Sequence, residues 1–327
     1  MGANRSRSSM KLRKRSLSEI QLLFLLCCIL CLSKASAYAQ GTFRNIGGES
    51  GVPSASALSY DIDGESSFFG RGNANAGSQP VGNITEISSS ADFVLSAQVS
   101  DKALIRLGIE WQLYSFDPSS SSAAIPNSVQ GLDLAIGADL QVSPAVLLRI
   151  EAHPGIYGEF IDTTWKDFNV PFEIAGTYFV SSRLLIIGGL HVDLNADTPV
   201  FPVIGVHWKV SDKWVIEGVA PRPQLQYLVS DQLTLFAGAD LRETTFRLDP
   251  HFGQVRGMPE LNDAILDYFE IRAGGGLTWK VSKNIDFEVE GGCAPYRRFD
   301  YPRVEDGYKV KSEDWSPYIR VALSAKF

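Results

Sequence analysis

Only four cysteines occur in the 327 residues, and three of them (Cys27, Cys28 and Cys31) fall within the first 39. Without that segment Cys293 stands alone, so neither an intrachain disulfide nor a cysteine-based metal site is available. No apolar run reaches the roughly 20 residues of a membrane-spanning helix. No Gly-x-Ser-x-Gly elbow and no phosphate-binding loop occurs, so two widespread catalytic signatures are missing. A basic surplus is missing as well. The chain carries a net charge of −7; residues 1–39 contribute +6, seven Lys and Arg against Glu19, which leaves −13 for the rest. So acidic a chain excludes nucleic acid as the main partner. The 29 Gly and 16 Pro are ordinary numbers that exclude a collagen-like or low-complexity chain. The length fits one large domain or at most two.

What is present begins with a basic stretch, Arg5 to Arg15, followed by an apolar run from Ile20 to Leu32 and small residues through Ala39. This is the order of a secretory signal peptide, and its apolar run is too short to span a bilayer. Ala35-Ser36-Ala37 and Ala37-Tyr38-Ala39 both fit the small-x-small cleavage rule. Residues 1–39 are therefore expected to be an export signal, with a mature chain starting at Tyr38 or Gln40.

Beyond it a turn recurs six times, with Val-Ser at positions 99, 142, 180, 210, 229 and 281, each followed by one or two residues such as Asp101-Lys102 or Pro144-Ala145. The spacings vary from 19 to 52 residues, which excludes a fixed-period solenoid. Constant turn chemistry at variable spacing describes hairpins with tight turns on one side and variable loops on the other. The flanking runs alternate with period two. Ile105, Leu107, Ile109, Trp111 and Leu113 interleave with Arg106, Gly108, Glu110 and Gln112, and Leu132 to Val142 repeats the pattern. Such strands have one apolar and one polar face, and their 9–11 residues match a tilted bilayer crossing. A soluble sandwich alternates in the same way. Against it stand the asymmetry of turns and loops and the six Trp near predicted strand ends, with Trp208, Trp214 and Trp279 by the turns and Trp111, Trp165 and Trp315 towards the loops.

The last strand, Tyr318 to Phe327, alternates to the terminal phenylalanine. It resembles the closing strand of bacterial outer-membrane β-barrels, in which a C-terminal Phe is the signal read by the barrel-assembly machinery. The segment Val219-Ala220-Pro221-Arg222-Pro223-Gln224-Leu225-Gln226-Tyr227 is similar to a family of outer-membrane barrels known only as a domain of unknown function. The resemblance implies a fold, and for Phe327 an assembly role. It implies no activity.

The expected architecture is all-β: an antiparallel transmembrane β-barrel over 54–327 with short periplasmic turns and long extracellular loops, preceded by an N-terminal periplasmic or plug segment at 40–53. Six turns, the final strand and an added strand around Leu58, Tyr60 and Ile62 give 14 strands. Pro221 and Pro223 leave the pair between Trp214 and Val229 short, and 12 is the alternative. Long connections are expected at 64–86, 116–130, 157–168, 248–264 and 298–314, with a short amphipathic helix at 258–267. In the last loop Tyr296, Arg297, Arg298, Phe299, Tyr301, Arg303 and Tyr308 are expected at an extracellular mouth or against lipopolysaccharide.

Strand parity turns many charges inward. The candidate lumen-lining residues are Arg106, Glu110, Asp139, Arg149, Glu151, His153, His191, Asp193, His207, Asp240, Arg242, Glu270, Arg272, Glu288 and Arg320. Mixed signs suggest ion pairs across the lumen, and an acidic excess favours cations or neutral polar solutes. The three inward histidines, with carboxylates such as Asp193 and Glu151, are the donor types of a zinc site or an acid–base pair. Yet no His-x-x-x-His spacing occurs, and sequence gives no distance between strands, so no metal, cofactor or catalytic residue is expected. The reading is an outer-membrane channel or facilitated-diffusion transporter for a small solute, in contact with outer-membrane lipid and lipopolysaccharide. A lipid-modifying enzyme and a closed structural or adhesive barrel are the alternatives.

Overall fold

The computed structural model describes residues 58–327 apart from 121–122, 305–306 and 313; the export signal and the 40–53 segment lie outside the described residues. The alternating runs form fourteen strands. They are β1 (Leu58–Ala76), β2 (Gln79–Ser100), β3 (Ala103–Pro118), β4 (Ser128–Ser143), β5 (Val146–Ala152 and Gly155–Gly158), β6 (Phe168–Asn169 and Phe172–Ser181) and β7 (Leu184–Val192). Then follow β8 (Val200–Lys209), β9 (Trp214–Glu217), β10 (Gln224–Leu228), β11 (Leu233–Arg247), β12 (Ile265–Lys280), β13 (Ile285–Tyr301) and β14 (Tyr308–Ser312 and Ser316–Lys326). Each pairs antiparallel with the next, and β14 pairs with β1 from Asp61↔Lys326 to Phe69↔Tyr318. Tyr60 and Phe327 exchange two backbone hydrogen bonds of 2.9 Å at the foot of that seam. The sheet is thus a closed barrel without edges, the only β-architecture that satisfies its own backbone in lipid. All six Val-Ser turns join strands at the end where the chain enters and leaves.

The barrel is apolar outside and charged within. Leu107, Ile109, Leu132, Leu134, Ile186, Leu190, Ile319 and Leu323 are exposed on its outer surface, whereas Arg106, Arg149, Arg242, Arg272 and Arg320 are buried inside. A soluble fold would reverse this, so the exterior is the lipid face. Trp208, Trp214 and Trp279 ring its turn end. Leu134 lies mid-strand on that face and is 48% exposed. Leu134→Arg is therefore expected to cost about 2–4 kcal/mol, the depth-dependent penalty of a charge facing lipid. Urea unfolding from lipid vesicles measures it, and an unchanged transition would mean that this face does not meet the bilayer.

Several expected loops are strands. Residues 64–86 are the tall β1–β2 hairpin, whose tip is Gly77 at φ +58°, and most of 298–314 belongs to β13 and β14. In place of the helix at 258–267 there is a 3-10 turn, Pro259–Leu261, and then β12. The short pair resolves in favour of 14: β9 has four residues and β10 five. Gly218 extends the pairing to Val206, and the carbonyls of Pro221 and Pro223 accept from the backbone N–H groups of Leu241 and Ala239. The prolines sit where β10 needs acceptors and no donors.

That low wall changes the loop end of the molecule. Above Leu241, β11 leaves β10 behind and crosses to the opposite wall, where Arg247 pairs in parallel with Gly158 of β5. Strands β1–β5 and β11–β14 therefore enclose the loop end by themselves. Their inward faces there are apolar, with Tyr114, Phe116, Phe246, Tyr268, Phe299 and Tyr301 forming one buried cluster. Ala123, Ala124 and Ile125 of the β3–β4 loop and Phe252 and Leu261 of the β11–β12 loop fold in over it. The barrel is sealed at this level by a packed core.

Candidate functional site: the charged interior

Two bulges set which side chains line the interior. One extra residue in β1 between Phe69 and Gly72, and one in β13 between Cys293 and Tyr296, shift the register. The inward set on β13 changes from Glu288 and Glu290 to Arg297, Phe299 and Tyr301. Arg297 is accordingly not in a mouth loop. It is fully buried, 3.3 Å from Glu86 and hydrogen-bonded to Ser316 Oγ at 2.9 Å. Phe299 and Tyr301 belong to the apolar seal. Arg298 points the other way, towards Glu243 at 3.2 Å and Asp267 at 3.5 Å.

On the wall built by β10–β14 and β1, four arginines are interleaved with five carboxylates. Arg272 donates to Glu270 at 2.8 Å and to the hydroxyls of Ser67 and Ser88 at 3.1 and 3.0 Å. Arg242 is 2.8 Å from Asp240 and also pairs with Glu65. Arg320 holds Glu65 at 2.5 Å and reaches Glu288 and Glu290. Arg222, from the Pro-flanked segment before β10, reaches the same two glutamates, Glu288 at 2.6 Å. Each of these arginines is thus paired with at least one carboxylate, which offsets the cost of burying it.

The opposite wall, β2–β7, is unbalanced. Arg106 donates to Glu151 at 2.7 Å, and Arg149 holds Asp139 through two 2.5 Å bonds. Beyond those two arginines stand Asp92, Glu110, Asp133 and Glu173, with His153 and His191 among them, around a cavity of about 80 Å³ as the described residues line it. His153 Nδ1 is 3.3 Å from both Glu110 and Asp133, and His191 Nδ1 is 3.1 Å from Glu173. Gly155 makes this possible locally: a Cβ there would lie 2.3 Å from Asp133 Cβ, so only glycine lets β5 run this close to β4 after His153 and Pro154. Glu243 and Thr244, on the part of β11 that crosses the barrel, roof the cavity.

The remaining candidates lie apart. His207 pairs with Glu217 at 2.5 Å near the turn end. Asp193, at the β7–β8 loop, accepts from Thr245 at 2.7 Å and from Asn169 at 2.9 Å. Asp92, Glu65, Glu86, Arg222, Glu243 and Arg297 were not legible as interior residues. Glu65 and Glu86 sit in a segment with loop-like composition, Arg222 between prolines, and Arg297 beyond a bulge. Strict alternation from Tyr60 and Ile62 through Phe68 could have signalled Glu65.

Residues 35–326 match a family described as Domain of unknown function (DUF6268), and the chain belongs to it. Among curated proteins none matches. Solved structures to which it is similar include an outer membrane channel from Pseudomonas putida F1, at 8% identity and TM-score 0.45 over 86% of this chain and 98% of that one. A TodX monoaromatic hydrocarbon channel deltaS2 mutant is 8% identical, with TM-score 0.40 over 89% and 96%. The KdgM porin is 10% identical, with TM-score 0.31 over 82% and 99%.

Proposed function

We propose that this barrel is an outer-membrane facilitated-diffusion channel that selects small cationic solutes in its interior and opens only intermittently at its loop end. The observation that carries the reading is the unbalanced acidic wall: among the described residues, carboxylates around a mid-height cavity outnumber the arginines within reach, whereas the facing wall sets four arginines against five carboxylates. Enclosed charge of one sign focuses the local potential and raises the concentration of counter-ions. The apolar seal makes opening a separate step, as in pores gated by dewetting. The turn side is then periplasmic, the loop side extracellular, and Phe327 at the seam the assembly signal.

Influx into proteoliposomes tests this. Small organic cations are expected to enter faster than into protein-free vesicles, and anions of equal size at the protein-free rate. Glu110→Gln with Glu173→Gln should erase the difference. The packed loop end also favours a second reading, a closed structural barrel that presents its loops to a partner. Cation entry no faster than into protein-free vesicles would support that reading and count against transport.

A further inference from the structure

Within the acidic wall, three side chains from adjacent strands converge: Glu110 of β3, Asp133 of β4 and His153 of β5, with one ligand atom of each within 4.8 Å of the other two. Their separations are informative. Charge-assisted N–H···O bonds settle at about 2.7–2.9 Å; with Asp133 at hydrogen-bond reach, His153 Nδ1 stands at a longer 3.3 Å from both carboxylates. That is the ligand-to-ligand edge, about 3.3 Å, of a tetrahedron with metal–N and metal–O bonds near 2.0–2.1 Å. The histidine is oriented from behind. Its backbone N–H donates to the Pro171 carbonyl at 2.8 Å, and its own carbonyl accepts from the Tyr157 hydroxyl at 3.0 Å. Glu151 lies 3.6 Å from Nε2 and is itself held by Arg106 at 2.7 Å. A carboxylate behind the distal imidazole nitrogen is the usual outer shell of a metal-bound histidine. The cavity of about 80 Å³ in front of the three leaves room for water to complete the coordination.

We propose that Glu110, Asp133 and His153 bind one divalent transition-metal ion inside the barrel. Two carboxylates neutralise the ion, and the mixed nitrogen and oxygen donors favour zinc or manganese over calcium. The site stands whether or not the barrel transports solutes, because binding is read without flux.

The test is equilibrium dialysis of the folded full barrel in detergent micelles against Zn²⁺, Mn²⁺ and Ca²⁺ separately. One Zn²⁺ per barrel is expected, with Ca²⁺ bound more weakly. His153→Asn and Glu110→Gln should each lower Zn²⁺ affinity by at least about 100-fold, the upper end of what outer-shell losses alone cost. Glu243→Gln, which alters the same cavity away from the three ligands, should leave affinity within a few-fold. Equal losses in all three variants would mean diffuse attraction by the acidic wall and would overturn the site, as would wild-type protein that binds no Zn²⁺. X-ray absorption of the Zn²⁺-loaded wild type needs no variant to fold: imidazole scattering from one histidine is expected, and an oxygen-only shell contradicts the proposal.

Discussion

Arg272→Met is expected to lower the barrel's resistance to urea by about 3–5 kcal/mol, the cost of removing one partner from a buried ion pair. Arg272 is fully buried. It binds Glu270 and the hydroxyls of Ser67 and Ser88, and lies 4.6 Å over the ring of Phe69. Methionine keeps much of the stem's packing and removes every one of those donors. Glu270 would then lose its cation and be left with the long 3.3 Å contact to the Tyr268 hydroxyl, which donates to Glu86 at 2.6 Å. Arg272→Met with Glu270→Leu should recover most of the loss, since an apolar pair of similar volume needs no desolvation. Tryptophan fluorescence during urea unfolding from vesicles provides the measurement. A single variant within about 0.5 kcal/mol of wild type, the range of neutral surface changes, would mean that this interior is wet and its charges are solvated.

The second large effect concerns the seal. Tyr268, Phe299, Tyr301, Leu261 and Val310 are 0% exposed and pack into one apolar cluster across that level. Replacing 250–262 with a short Gly-Ser link removes Phe252 and Leu261, and Phe116→Ser with Phe299→Ser puts two hydroxyls in place of two rings of the remaining cluster. In symmetric salt this barrel is expected to show sustained conductance steps where the wild type shows rare, brief ones. It should also be less stable, since each lost buried phenylalanine costs about 3–5 kcal/mol. A heat-dependent gel shift checks that the variant is folded. Persistent silence from folded variant barrels would place the block elsewhere, in the ion-paired region around Arg242 and Arg320.

Much of the barrel was legible because the bilayer imposes period two wherever a strand crosses it. Leu107, Ile109 and Leu134 had to face lipid, and Arg106, Glu110 and Arg149 then had to face inward. The six turns were legible because Val-Ser followed by a further Ser, Asp, Asn or Pro encodes a tight reversal. Where the wall rises above the lipid the constraint lapses. In 70–76 Arg71, Asn73 and Asn75 face water on the outside, and only Gly72 and Ala74 fill the inside, so a strand there has the composition of a loop. Bulges are invisible to periodicity, which is why Arg297 was expected at a mouth and is found against Glu86. The crossing of β11 to Gly158 depends on the height of a neighbouring hairpin. Nothing in the residues of β11 announces it. The grouping of Glu110, Asp133 and His153 has the same origin: Glu110 and His153 were legible as inward, but the convergence of all three rests on the register of three strands and on Gly155.

Acidic excess on the β2–β7 wall decides what the proposed channel admits. The zero-current potential of the seal-opened barrel in a planar bilayer, under a salt gradient across the membrane, reads that preference directly. A potential of the sign set by cation permeation is expected, moving towards zero when Glu110→Gln and Glu173→Gln are added. A potential of the anion-selective sign, or one that those two substitutions leave unchanged, would contradict it.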